Sequence, residues 1–298
     1  MTTTTSSARS ATGTAAGVTA ALIWSTTAPV IASATGVDPF LYAALNDGIA
    51  TLLFVLGWIF LRRNPLPELR SIPIWFYALG FCGISIHGLT WIAAVQQAPA
   101  LEATLIIYSW PLLLVVFTTI SLRQRFRWYH LLASCLGMAG IATMLLGRGL
   151  DLGTLSLMPG HLWALISAVT WAVYSAVAAR YALRSSDVLG VIFGLSALVN
   201  GAIWLFFRGA PPAPPQSLLL VAISATFSGL AYILWDFGSK RGNAQLIAVV
   251  SFLTPVLAAV YLVLLGKAQP SHHLVAALVL VVTGIGVASW FSRAPKAA

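Results

Sequence analysis

Five tryptophans stand well inside long apolar stretches: Trp24, Trp91, Trp110, Trp171 and Trp235. An indole at such a depth carries an N–H that hydrocarbon cannot satisfy, so its ring is expected to face other protein or a wet cavity. Tyrosines and a histidine stand beside these rings at helical spacing. His87 and Trp91 are four apart and share a face with Gly80 and Gly83, Trp171 shares a face with Thr170 and Tyr174, and Tyr232 shares one with Trp235. Tyr108 and Trp110 are two apart, so a straight helix would point them to different sides. A wall of such rings takes flat apolar or aromatic ligands by stacking and holds an ammonium group weakly over a ring face. Ordinary packing between helices would use the same residue types, and both readings stay open for each ring.

Two prolines bear on the same region. Pro111 and Pro255 each fall inside an apolar stretch, where a proline removes one backbone hydrogen bond and crowds the preceding turn. In lipid the freed carbonyl needs another partner or a wet surface, so both are candidate hinges in cavity-lining helices. Ionisable groups at membrane depth are few. Asp47 and His87 are the candidates for coupling to protons. For Asp47 we expect instead hydration near one face of the membrane, and for His87 a satisfied core histidine is an equal alternative. Glu102 is expected in a helix first turn, where the dipole favours an acid. Asp236 and Lys240 are expected to pair at i,i+4, and Asn243 to cap a helix. His272 and His273 are adjacent and point apart, so no metal or other cofactor is expected.

The elements that must position these residues follow from composition. Of 298 residues 59% are hydrophobic and 8% charged, against about 25% charged in soluble domains. The missing polar surface must face lipid. A net charge of +9 would suggest nucleic acid in a soluble protein. Here the basic residues sit in short runs between apolar stretches, the pattern that sets membrane topology, and no nucleic acid is expected. Apolar stretches of spanning length recur at 13–35, 39–61, 72–97, 100–122, 128–147, 158–182, 186–208, 216–240, 243–266 and 271–292. Cys82 and Cys135 are expected to be buried thiols. With the N-terminus inside, thirteen of the sixteen basic residues fall on inner segments, among them Arg62, Arg63, Arg123, Arg125, Arg184, Lys240 and Lys296. The outer loops, including the proline run 211–215, keep only Arg148, Arg208 and Lys267. Both termini are therefore expected in the cytoplasm, and no signal cleavage is expected.

The chain also repeats itself. Trp91 and Pro111 match Trp235 and Pro255 at one offset, Gly140 matches Gly284 at the same offset, and Trp24 matches Trp171 at a slightly larger one. The expected architecture is all-α, ten transmembrane helices in one membrane domain over 1–298, with repeats at 13–147 and 158–292 and short tails at 1–12 and 293–298. Five helices per half is an odd number, so the halves must cross in opposite senses as an inverted repeat. Gly137 and Gly140, with Gly284 and Gly286, suit close packing of the fifth and tenth helices, with a homodimer through that face as the alternative to a monomer.

Ten helices in two inverted halves, Trp24, the run Gln96-Gln97-Ala98-Pro99-Ala100, Ser109-Trp110-Pro111 with its partner Leu253-Thr254-Pro255, and the glycines of the fifth and tenth helices resemble the drug/metabolite transporter superfamily of the EamA type. The aromatic content is similar to that of its YddG-type aromatic amino-acid exporters. The resemblance implies a basket-like bundle, lodged in a bacterial inner membrane, that exports metabolites through a central cavity lined by helices 1, 3, 4, 6, 8 and 9. It implies amino acids as substrates, aromatic or apolar, with threonine/homoserine or a cationic drug as the alternative. Many members carry a Glu just after helices 4 and 9. This chain has Arg123-Gln124-Arg125 and Gly266-Lys267 there, so no role for that Glu carries over. A phosphorylated substrate is disfavoured, since no Lys or Arg lies deep in a span. An intramembrane enzyme would need a nucleophile–base pair, a metal cluster or paired acids at one depth, and none is legible. A receptor would need larger loops.

Overall fold

The structure is a computed structural model that describes residues 3–121, 127–150, 157–180, 186–208 and 213–293. Arg123, Gln124, Arg125, Arg184, Pro211, Pro212 and Lys296 lie outside the described residues. Among the described residues every regular element is helical. Nine helices are long and apolar enough to cross a membrane, and the shorter apolar helix Ala11–Trp24 makes about ten. The protein is an all-α, multi-pass membrane protein.

Span 1 comprises Thr3–Trp24 and Thr27–Ser33, and span 2 is Pro39–Phe60. Span 3 runs through Ile74–Phe81, a π-helical turn Cys82–Ile86 and His87–Gln97. Span 4 comprises Ala100–Ile107 and Trp110–Ser121, and span 5 is Trp128–Leu146. In the second half span 6 is Pro159–Arg180, and span 7 is Val188–Ile203 with a π-helical turn Trp204–Arg208. Span 8 is Pro215–Arg241, span 9 comprises Ala244–Val250 and Leu253–Leu264, and span 10 is His272–Arg293. A short helix, Leu66–Ser71, occupies what the sequence suggested was only a loop.

Local chemistry explains where these helices start and break. Asp38 caps span 2, accepting from the N–H groups of Phe40 at 2.8 Å and Leu41 at 3.4 Å, with Pro39 at the first helical position. Asn243 caps span 9 by accepting from Leu246 N–H at 3.1 Å, as expected. Spans 1, 4 and 9 are each interrupted, at Ser25–Thr26, Tyr108–Ser109 and Ser251–Phe252. Each interruption includes or adjoins the carbonyl that a proline four residues on (Pro29, Pro111, Pro255) leaves without a helical donor. The sequence reading identified two of these prolines and missed Pro29.

Packing pairs the two halves. Span 1 lies along span 8 and span 6 along span 3, while spans 2 and 7 pair, as do spans 5 and 10. Exchanging the halves maps this set of neighbours onto itself. Gly140 sits against Val281 and Ala277 of span 10, and Gly284 against the Ala133 carbonyl, so a Cβ at Gly284 would stand 2.7 Å from that oxygen. Gly137 instead receives the Phe252 ring of span 9, and Gly286 meets nothing. Cys135 is exposed on the outer face of span 5, contrary to the expectation of a buried thiol, and Cys82 is half-buried. Exposed Ile59, Leu198 and Val279 supply the apolar lipid face.

Candidate binding cavity

Spans 1, 4, 6 and 8 converge on one cluster of rings centred on Trp171. Trp171 has Trp24 at 5.8 Å between centroids, Tyr232 at 5.8 Å, Trp235 at 5.9 Å, Tyr174 at 6.0 Å and Trp110 at 6.2 Å. Trp24 also touches Tyr232 at 5.0 Å and Trp235 at 5.3 Å, and Trp110 touches Trp235 at 5.6 Å. Most of these pairs meet edge to face or tilted, the arrangement ring quadrupoles prefer. Trp110, Trp171, Tyr174 and Trp235 are buried, while Trp24 and Tyr232 are half-buried. The Trp235 indole N–H donates to Ser175 Oγ at 3.3 Å, giving a polar partner at a depth where lipid offers none.

The remaining candidates sit around this centre. His87 follows the π turn of span 3, and its ring lies 5.5 Å from that of Trp171. His87 Nδ1 is 2.9 Å from the Ser167 carbonyl and 2.9 Å from Ser167 Oγ, while the Ser167 hydroxyl donates to the His87 carbonyl at 3.1 Å. The histidine is thus satisfied against span 6 and also borders the rings. Trp91 stands one turn on, 6.3 Å from His87, and is 41% exposed, so it flanks the cluster and does not join its centre. Tyr108 lies in the break of span 4, half-buried between the central core and the core that spans 5, 9 and 10 form. The break, ahead of Pro111, removes the straight-helix geometry that would have kept Tyr108 and Trp110 on fixed, different faces.

Beneath the rings is a cavity of about 10 Å³, lined by Trp171, Tyr174, Leu189, Tyr232, Trp235 and Asp236 among others. That is room for a single water, so the rings pack on one another with no space between them for a larger guest. The Asp236 carboxylate accepts from Lys240 Nζ at 2.7 Å and from the Ser186 hydroxyl, and both members of the ion pair are almost wholly buried. The expected i,i+4 pair is therefore present, as the polar floor of the cavity. Nearby, Trp58 Nε1 donates to Asp187 at 2.9 Å, and Arg63 bridges Asp187 at 2.6 Å and Glu68 at 2.9 Å.

Three placements differ from expectation or escaped it. Asp47 is 7% exposed and sits between spans 2 and 7, not in water. Asn46 Nδ2 donates to it at 3.0 Å and the Ser196 hydroxyl at 2.5 Å. Glu102 does lie in the first turn of span 4, but it also meets His161 Nε2 of span 6 at 2.8 Å, a partner the sequence did not suggest. His272 and His273 lie at the start of span 10 with ring centroids 4.0 Å apart, so they do not point apart as expected, and among the described residues no group of three potential metal ligands comes together.

The sequence was compared with known families and structures. The pattern of the EamA-like transporter family matches twice, over residues 11–146 and 158–290. An aromatic amino acid exporter YddG of Ancylobacter novellus is 34% identical over 280 residues, covering 93% of this chain and 96% of that protein. A second exporter of that name, from Salmonella typhimurium, is 28% identical over 90% of this chain and 93% of its own length. An uncharacterized transporter YvbV of Bacillus subtilis is 26% identical over 93% of this chain and 91% of its own. One solved crystal structure superposes with a TM-score of 0.85 at 31% identity, over 95% of this chain and 98% of that one.

Proposed function

Because the chain belongs to the EamA-like transporter family, and its similar relatives are named transporters and not enzymes, we propose that it exports amino acids, aromatic or otherwise apolar, by alternating access around the Trp171 cluster. The observation that carries this reading is the cluster itself: six aromatic rings from spans 1, 4, 6 and 8 in mutual contact, with an acid–base pair at its floor. An aromatic side chain entering there replaces ring–ring contacts with equivalent ones, so opening the cluster for such a guest costs less than opening it for a polar one. The α-ammonium group is held over a ring face. Two named relatives exporting aromatic amino acids agree with the chemistry of this wall.

Movement is assigned to the broken spans. The interruptions beside Pro29, Pro111 and Pro255 lie at the level of the rings, and the helical segments on either side of each can tilt without tearing a continuous hydrogen-bond ladder. One half of the protein then swings against the other about a site near the midplane. We read the protein as a monomer of a bacterial inner membrane, and the asymmetry of its lysines and arginines supports both termini in the cytoplasm. A cysteine at Pro214 is expected to react with an impermeant reagent added outside, and a cysteine at Asn64 is not. The reverse pattern reverses the orientation.

Transport is tested with purified protein in proteoliposomes and labelled Phe, Trp, Met, Thr and Lys. Saturable uptake of Phe, Trp and Met, with Thr and Lys excluded, is the expected result. Uptake of Thr or Lys in their place, or of none of the five by folded protein, overturns the substrate assignment.

A further inference from the structure

Asp47 is an acid within a lipid-spanning bundle, and among the described residues it has no cationic partner. It lies on span 2 and is 7% exposed. Among the described residues its partners are donors only: Asn46 Nδ2 at 3.0 Å and the Ser196 hydroxyl at 2.5 Å. One helical turn on, Asn200 Nδ2 donates to the Ser196 carbonyl at 3.0 Å and lies 3.3 Å from Ser196 Oγ. Asn200 is 2% exposed and its Oδ1 has no partner. The cluster therefore has an acceptor left over, and is short of one hydrogen.

Among the described residues no side chain of positive charge pairs with Asp47. Span 2 packs against spans 7 and 8. Span 7 presents Ser196 and Asn200. Span 8 brings Tyr232, and span 2 itself Tyr42; both hydroxyls lie within electrostatic reach of Asp47, and neither carries positive charge. Of the other charged groups of these spans, Asp187, the Asp236–Lys240 pair and Arg241 lie at the opposite end, while Asp38, the cap of span 2, and Arg208, twelve residues or about 18 Å beyond Ser196 on span 7, lie at the same end. Asp187 is nine residues from Ser196, about 13 Å along a helix. At the offset that relates Trp24 to Trp171 the counterpart of Asp47 is Gly194, so only one half of the repeat carries the acid.

We propose that Asp47 is a proton-binding site, loaded when the cavity is empty and emptied when substrate is carried. The reasoning rests on the transport reading above. A buried carboxylate without a counter-charge costs several kcal/mol, and a proton removes that cost. In the form seen here the rings pack on one another, and the cavity among them has room for no amino acid. The empty carrier thus passes through the form with packed rings while Asp47 is protonated. Substrate wedges the rings apart, Tyr232 and the spans behind it shift, water reaches Asp47 and the proton leaves to that water. Proton and substrate cross in opposite directions, one proton on the carboxyl for each empty return.

Two measurements test this, and the first needs no substrate. Infrared difference spectra of the protein in membranes, recorded between acid and neutral pH, are expected to show a protonated-carboxyl band that Asp47→Asn lacks and that Ser196→Ala shifts, since the serine is a partner of that carboxyl. A spectrum identical in wild type and both variants overturns the proposal. In the second, vesicles acidic inside are expected to accumulate labelled Phe above its external concentration with the wild type. With Asp47→Asn they only equilibrate it, while counterflow exchange continues. Accumulation that survives in Asp47→Asn overturns the proposal. Loss of counterflow in the wild type itself counts against the substrate assignment, and leaves the infrared result to decide on Asp47.

Discussion

The two ends of the bundle are closed by the same contact made with different chemistry. At the end that holds the termini, span 1 meets the turn between spans 8 and 9. A Cβ on Gly13 would stand 2.5 Å from Gly242 N, and one on Gly242 would stand 2.4 Å from Thr14 N. The polar bond there is neutral: Asn243 N–H donates to Thr14 Oγ1 at 2.9 Å. At the opposite end, span 6 meets the turn between spans 3 and 4, and a Cβ on Gly160 would stand 2.5 Å from Ala98 N. There the polar bond joins His161 Nε2 to Glu102 Oε2 at 2.8 Å, while Met158 N–H donates to His161 Nδ1 at 3.2 Å and so marks Nε2 as the nitrogen that carries a hydrogen. Gly13-Thr14 and Gly160-His161 stand at the offset that also relates Trp24 to Trp171. The repeat keeps the backbone-to-backbone approach and changes the polar bond beside it. A bond to a charged group is roughly twice as strong as a neutral one, so the end opposite the termini is expected to open with more difficulty.

The glycines give the largest way to break this comparison. Gly242→Val and Gly160→Val each force apart backbone that has nowhere to move, at a cost of about 1–3 kcal/mol. A cysteine at Ser175 in the cavity is expected to become reactive from the terminal side in the first variant and from the opposite side in the second. Equal labelling from both sides in either variant removes the two-ended picture. Next comes Glu102→Gln, which leaves the His161 N–H facing a neutral acceptor. It is expected to lower thermal stability by an amount equivalent to about 1–2 kcal/mol and to raise labelling from the side opposite the termini. Thr14→Val is the smallest. It removes one neutral bond between spans, worth about 0.6 kcal/mol in membranes, and should raise labelling from the terminal side only slightly. If Thr14→Val matches Glu102→Gln, the difference in polar chemistry between the ends has no consequence.

Much of this arrangement is legible in sequence, wherever one residue's position along the chain decides its environment. Apolar length gives the spans. Depth within a span gives the rings of Trp24, Trp110, Trp171 and Trp235, and local spacing gives the Asp236–Lys240 pair and the Asn243 cap. What escapes is the question of which face of one helix meets which face of another. Glu102 and His161 are 59 residues apart and Asp47 and Ser196 are 149 apart, and helical periodicity carries no information on either meeting. Trp91 has the depth and the neighbours of a cavity residue, yet the rotation of span 3 leaves it partly outside. The π turn at Cys82–Ile86, which sets that rotation for the residues beyond it, has no clear sequence signature. For the far-end contact a signal did exist: Gly160-His161 repeats Gly13-Thr14 at the offset of the tryptophans, and the break at Pro29 follows the same rule as those at Pro111 and Pro255.

The ring cluster as the substrate site is tested most directly by equilibrium binding of labelled phenylalanine to purified protein in nanodiscs, wild type against Trp171→Ala. Trp171 touches every other ring of the centre, so its removal is expected to weaken binding by about tenfold or more, the equivalent of about 1.4 kcal/mol, while the protein stays folded and the Glu102–His161 end stays closed to labelling. Unchanged phenylalanine affinity in folded Trp171→Ala would contradict the assignment of the site to these rings.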